Sequence, residues 1–356
     1  MPNCQRIARL AGTILLATGD LLPATTHAAQ HHVGPDTTYA TIQAAVDAAS
    51  VNDTILIHPG IYVTWLNAKL DPIDFDLVFR STAGPESTTI DGENNWGPMF
   101  DFTGNDITSA TRVEGLTIFD CFEGSGGGAA HIAEGADPVF LNCHFIENGN
   151  PSYGGAIWIN GQFGDAAPLF EDCIFSGNTA STSGGAVYIQ YGSGAVFDWC
   201  LFDENSQERW DGGGGAVCFN DGSATLSNCT FVENSASQIY HTGTSGLAQF
   251  NRCIFAHSPD GPAIAVDNAS SIYVQYAAVY GNAGGDSLPC AQNHITYDAP
   301  LFCDRASDDY TLCSDTPCHP LHNPWGVWLG CYAVGCGECS TPVEATSWGL
   351  MKSLFR

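Results

Sequence analysis

The chain has 356 residues, 44% of them apolar, with 40 glycines and ten Lys and Arg against 38 Asp and Glu, a formal net charge of −28. That balance argues against nucleic acid or an anionic membrane surface as partner, since both demand a basic patch. The length suits one large all-β domain or two ordinary ones, and the glycine content disfavours long helices.

Residues 1–29 read as an export signal. Arg6 and Arg9 precede the apolar run "LAGTILLATGDLLPA", which ends in the small-residue stretch "TTHAA", with cleavage expected after Ala28 or Ala29. Asp20 interrupts the run, which is too short for a membrane span. No span is expected in the mature chain. Its expected place is outside the cell or attached to a bacterial envelope, where disulfides are permitted. Cys4 leaves with the signal, and "QHH" at 30–32 is expected to fray at the new N-terminus.

From residue 127 two short lines of text alternate. One is "GGAAHI" (127–132), "GGAIWI" (154–159), "GGAVYI" (184–189) and "GGAVCF" (214–219). The other carries a cysteine at 143, 173, 200, 229 and 253, at spacings of 30, 27, 29 and 24 residues. Leu116 and Ala277 fill the cysteine slot in flanking copies. Further along each copy stands Asn148, Asn178, Asn205, Asn234 or Asn282, with Ser258 in the copy of Cys253. Within each line apolar residues alternate, a strand period. A repeat of this length without helix excludes helical and leucine-rich solenoids, and it is too short for a four-stranded propeller blade.

The remaining architecture is an all-β, right-handed parallel β-helix. One coil buries about five apolar side chains at roughly 1.5–3 kcal/mol each. Ordering its backbone costs about 1–2 kcal/mol per residue, so a coil folds only when stacked. About nine coils are expected between residues 55 and 282. Cys143, Cys173, Cys200, Cys229 and Cys253 should form an inward file as small buried hydrophobes. The asparagines should form a second file at a corner, where they and the glycines accommodate positive φ and the asparagines can hydrogen-bond their neighbours in the next coil.

"GGA" plus an aliphatic residue, alternating with "FIEN", "FSGN", "FDEN" and "FVEN", resembles the repeat of the polymorphic outer-membrane proteins, which are surface adhesins. "YATIQAAVDAASVNDTILIHPGIY" (39–62) is similar to the opening of pectin-lyase-like β-helices. That resemblance implies a cap region over 30–54, with a helix burying Ile42, Ala45, Val46 and Ala49, and a β-helix over 55–300. It leaves function open, because the fold hosts lyases, hydrolases, esterases and adhesins.

Motifs for catalysis are sparse. The polygalacturonase and pectinesterase patterns are absent, and Thr64 stands where a pectinesterase start would carry Glu. The best catalytic candidate is the loop "SQERWDGGGG" (206–215), with Arg209 beside Asp211 and Trp210; a surface arginine in a loop is its plain alternative. The remaining basic residues of the body are Lys69, Arg80, Arg112, Arg252 and Arg305. No metal site is expected. Calcium is compatible with the acidic surface but no motif supports it, and no other cofactor is indicated. On the "GGA" strand, His131, Trp158, Tyr188 and Cys218 should point outward in one file. Aromatic rings one coil apart, partly exposed, can stack on sugars; alternatively a neighbouring loop covers them as secondary core.

Seven cysteines crowd the last quarter: Cys290, Cys303, Cys313, Cys318, Cys331, Cys336 and Cys339. Residues 301–340 are expected to cap the open end of the solenoid, with Cys303, Cys313 and Cys318 paired among themselves or with Cys290. The tail 341–356, with Trp348, Met351, Leu354 and Phe355 at helical spacing, resembles envelope-sorting signals of secreted bacterial proteins; a terminal helix on the cap is the alternative. The expected function is a non-catalytic surface for polysaccharide or cell-surface glycan binding or adhesion, the alternative a polysaccharide lyase or glycoside hydrolase.

Overall fold

The computed structural model describes residues 28–63, 70, 75–93, 98–122, 124, 126–209, 213–267 and 272–339. Residues 1–27 of the expected signal, residues 210–212 of "SQERWDGGGG" and the tail lie outside the described residues. Parallel strands stack into a solenoid with three faces. The first face runs from Gln30–Val33 through Val139–Leu141 to the start of Ala291–Thr296. The second includes His144–Ile146, Ile174–Ser176, Leu201–Asp203 and Thr230–Val232. The third is a separate seven-stranded sheet from Phe100–Thr103 to Ile264–Val266, extended by one bridge from Leu70 to Phe100. Complete turns among the described residues number about eight, close to the nine expected. Residues 30–32 do not fray: Gln30–Val33 pairs with Thr54–Ile57 as the first rung. His31 meets Asp53 at 2.9 Å there, and Ser50 and Ala29 donate main-chain bonds to the same carboxylate. The helix Ile42–Ala48 is capped by Thr41, and Ile42, Ala45 and Val46 are buried against the first rungs.

Corners are turned by left-handed residues. Between the first and second faces stand Gly115, Asn142, Asp172, Trp199, Asn228, Arg252, Tyr276 and His294, each immediately before the cysteine slot. Between the second face and the next turn stand Asp120, Glu147, Gly177, Glu204, Glu233, His257 and Gly281. The asparagines of the repeat are therefore not the left-handed residues; each follows one. Their task is hydrogen bonding. Asn148 Nδ2 donates to Asn178 Oδ1 at 3.0 Å, Asn178 to Asn205 and Asn205 to Asn234 at 2.9 Å each. The second proton of each amide goes to a main-chain carbonyl of the preceding coil (Ile118, Phe145, Phe175, Phe202). Where Ser258 interrupts the file, Gln238 fills in: its Oε1 accepts from Asn234 and its Nε2 donates to Asn282.

The interior is a set of vertical stacks. Phe145, Phe175, Phe202, Phe231 and Phe255 lie ring on ring at 4.7–5.1 Å within 10° of parallel. Phe140, Phe170 and Phe197 form a second column. The five repeat cysteines are completely buried beside them, their thiols directed at main-chain carbonyls, and burial pushes Cys143, Cys173 and Cys229 well up. The second glycine of each "GGA" has no room for a side chain: a Cβ on Gly155 would meet the Gly185 carbonyl at 2.1 Å, and one on Gly185 the Gly215 carbonyl. The pair thus brings the chain tightly into the third face.

The Cys-rich cap lies along the solenoid's flank. Leu312, Cys318 and Leu329 pack on the outer side of Ile254, Ala256 and Ala278, and Tyr310 and Cys331 on Leu201 and Val232. Gly330 donates to the Arg252 carbonyl and Cys331 to Thr230 Oγ1. The disulfides are Cys303–Cys336 and Cys313–Cys339, whereas Cys290 and Cys318 are free. The expected pairing among 290, 303, 313 and 318 is therefore corrected: Cys313 directly follows the hairpin strand Asp309–Leu312, beside residues 333–337, and Cys318 is buried in the packed layer.

Two predictions follow from the interior. Asn178→Ala leaves Asn148 and Asn205 with unmatched buried groups and should lower stability by about 2–3 kcal/mol in denaturant titration. A loss below 0.5 kcal/mol would contradict the ladder. His241 faces inward on Phe219 at 5.7 Å, fully buried, and neither ring nitrogen has a partner. Burial lowers its pKa, so the unfolded chain binds the proton first and stability is lost as pH falls below about 6.5. His241→Phe should raise Tm by about 2–4 °C at pH 7.5 and by more at pH 5, measured calorimetrically.

Candidate functional site

Side chains alternate across each strand of the third face, so every second residue leaves the core. The outward file is Asp101, His131, Trp158, Tyr188, Cys218, Tyr240 and Ala265, each the register partner of the next. Roughly 4.8 Å separates successive members.

At its N-terminal end, His131 Nδ1 lies 3.0 Å from Asp101 Oδ1, which orients the imidazole. The His131 ring leans on Trp158 at 5.1 Å. His131 Nε2 and Trp158 Nε1 are both buried without a partner. Trp158 is partly exposed and lines a cleft of about 150 Å³ with Gly124, Gly126, Asn150, Ser152 and Tyr153. Asn150 builds that cleft: its Oδ1 accepts the main-chain N–H groups of Ser152 and Tyr153, and its amide donates to the Gly126 carbonyl.

The expected platform of Trp158 and Tyr188 is corrected in one member. Tyr188 is only 4% exposed, because Tyr153 stacks over it at 4.5 Å and 23°. Its hydroxyl accepts from Asn220 Nδ2 at 2.9 Å, and burial pushes its phenol up. The exposed ring at this level is Tyr153, at 37%. Cys218 is buried, its thiol pushed up to about 12. Tyr240 donates to Asp267 at 2.9 Å, and burial and that carboxylate push it up to about 12.

At the far end, Ala265 borders a second cleft of about 320 Å³, lined also by Gln207, Glu208, Arg209, Ala236, Ser237, Asp260, Gly261 and Pro262. Arg209 thus joins Glu208 and Asp260, while Asp211 and Trp210 fall outside the described residues. Glu208 accepts from Ser181 at 2.8 Å. Other cations are engaged: Arg80 and Arg112 both bind Glu114, and Arg305 pairs with Glu233 at 3.2 Å. Arg209 stands two rungs from Trp158, in the coil of Cys218, and lines a different cleft. The repeat carries no signal for Tyr153 or Asp260. Asp101 is legible as the member of the outward file one coil before His131.

Residues 99–276, half of the chain, match the family described as the right handed beta helix region. The chain belongs to that right-handed β-helix family. A search of curated proteins finds no significant match. Among solved structures, this β-helix protein is similar to a deglycosylated pectin methylesterase from Aspergillus niger at 14% identity and TM-score 0.42, covering 77% of this chain and 92% of that one. It is also similar to the A-module of the Azotobacter vinelandii mannuronan C-5 epimerase at 13% identity and TM-score 0.31, covering 86% and 92%. Among the described residues no helix is long and apolar enough to cross a membrane.

Proposed function

We propose that this β-helix protein is exported, to the extracellular space or the cell envelope, and holds a glycan chain along its third face without chemically altering it. The observation that carries this reading is the registered file of Asp101, His131 and Trp158, with Tyr153 standing exposed on Tyr188 and clefts at both ends. Trp158 and Tyr153 offer ring faces, while the buried, unpartnered His131 Nε2 and Trp158 Nε1 are polar groups that a small rearrangement would bring to a sugar hydroxyl. A net charge of −28 repels polyuronates and favours a neutral or amino-sugar chain. Two rings contribute of order 1 kcal/mol each, so binding is weak per site and gains from several sites on one polymer.

A second reading has its own observation. The cleft that gathers Arg209, Glu208 and Asp260 places a base and two acids together, as a polysaccharide lyase or glycoside hydrolase requires. A polysaccharide panel assayed for new reducing ends and unsaturated uronates separates the two: turnover abolished by Arg209→Ala would establish the enzyme and displace the first reading. Under the first reading, affinity electrophoresis through neutral polysaccharides should show retardation. Tyr153→Ala should cut it about fivefold with Tm unchanged within 2 °C. Retention unaffected by both Tyr153→Ala and Trp158→Ala would sink the proposal.

A further inference from the structure

The two disulfides of the cap are not separate staples. Cys313 Sγ lies 3.7 Å from Cys336 Sγ, across the two bridges. The sulfurs of Cys303, Cys313 and Cys336 all fall within 4.8 Å of one another, and Cys339 joins through Cys313, with the Asp315 carboxylate beside them. Two sulfurs on one tetrahedral zinc, each about 2.3 Å from the metal, sit roughly 3.8 Å apart. The chain supplies the matching pattern in "CGEC", where two residues separate Cys336 from Cys339.

The backbone that holds these sulfurs does not depend on the bridges. Cys303 and Cys313 come from the antiparallel hairpin of Phe302–Asp304 and Asp309–Leu312 and the residue after it. That hairpin is tied to the loop of Cys336 by main-chain bonds from Leu312 to Ala333, Gly335 to Leu312 and Ser314 to Gly337, at 3.0–3.1 Å. Cys313 N bonds the Leu301 carbonyl at 2.9 Å. Packing of Leu312, Tyr310 and Leu329 on the solenoid fixes the whole segment from beneath. Opening both disulfides therefore leaves the thiols of Cys303, Cys313 and Cys336 together, with that of Cys339 beside Cys313.

We propose that the reduced cap binds one zinc ion through Cys303, Cys313, Cys336 and Cys339. Two equivalents of a dithiol supply four electrons and four protons, giving four thiols; two equivalents of a phosphine supply the four electrons and become phosphine oxide, two water molecules giving the oxygens and the four protons. Zinc then displaces four protons to form a tetrathiolate centre; exchange with two equivalents of a small-molecule disulfide, which takes up the four electrons and leaves as four thiols, restores the bridges and releases the metal. The cap would thus remain closed in either redox state, by disulfides outside the cell and by zinc wherever thiols persist.

The test uses the whole chain, reduced with a phosphine, freed of reductant without air and titrated with cobalt(II). One equivalent should bind, with the thiolate charge-transfer and tetrahedral d–d absorptions of a sulfur-only site, and zinc should displace it with release of about four protons. Cys339→Ala and Cys339→His both lose the same disulfide, but only histidine can ligate. The alanine variant should lose at least about 100-fold in affinity, and the histidine variant should bind with a shifted spectrum. Cys290→Ser, at a thiol outside the cluster, should bind normally. A fully reduced chain that takes up no cobalt overturns the proposal, as does uptake unchanged in Cys339→Ala.

Discussion

The side-chain amides of Asn148, Asn178 and Asn205 are satisfied only by the coils on either side of them. Asn178 accepts from Asn148 and donates to Asn205, and the same exchange repeats until Gln238 carries it past the gap at Ser258. A coil slipped by one residue would lose these bonds and turn its phenylalanines outward together, so the register admits no gradual error. The phenylalanine columns and the glycine pair at the entry to the third face impose the same spacing from other directions.

That vertical order gives the outer surface its meaning. Because the third face cannot shift, the side chains leaving it arrive in one line at the coil repeat, and a linear polymer is the ligand shape that matches such a line. The flank of the second face is closed to ligands where the cap covers it with Tyr310, Leu312, Leu329 and Cys331. Hence the cap covers the second face and not the third.

The fold is legible in the sequence because its determinants are periodic. The cysteine spacings, the "FxxN" lines and the alternation in "GGAIWI" each mark a fixed place in every coil. Features that break the period are not legible. Tyr153 covers Tyr188 from a turn where the next copy has Ser183, so alternation alone counts Tyr188 as outward and misses its cover. Left-handed corners fall on residues as different as Trp199, Arg252 and Glu204, and no composition rule picks those out when stacking enforces the conformation. The disulfide partners depend on the path of an irregular segment that folds back along the flank, which spacing does not encode. Pairing of Gln30–Val33 with Thr54–Ile57 likewise depends on the helix Ile42–Ala48 returning the chain by one coil.

Hydrogen–deuterium exchange with and without a saturating neutral oligosaccharide addresses the glycan-holding reading of the third face directly. Protection should concentrate on the turn 150–155, the strands 157–160 and 187–190, and the loop 207–209, leaving the first face and the cap unchanged. Protection confined to the first face or the cap, with the third face exchanging as in the free protein, would contradict it.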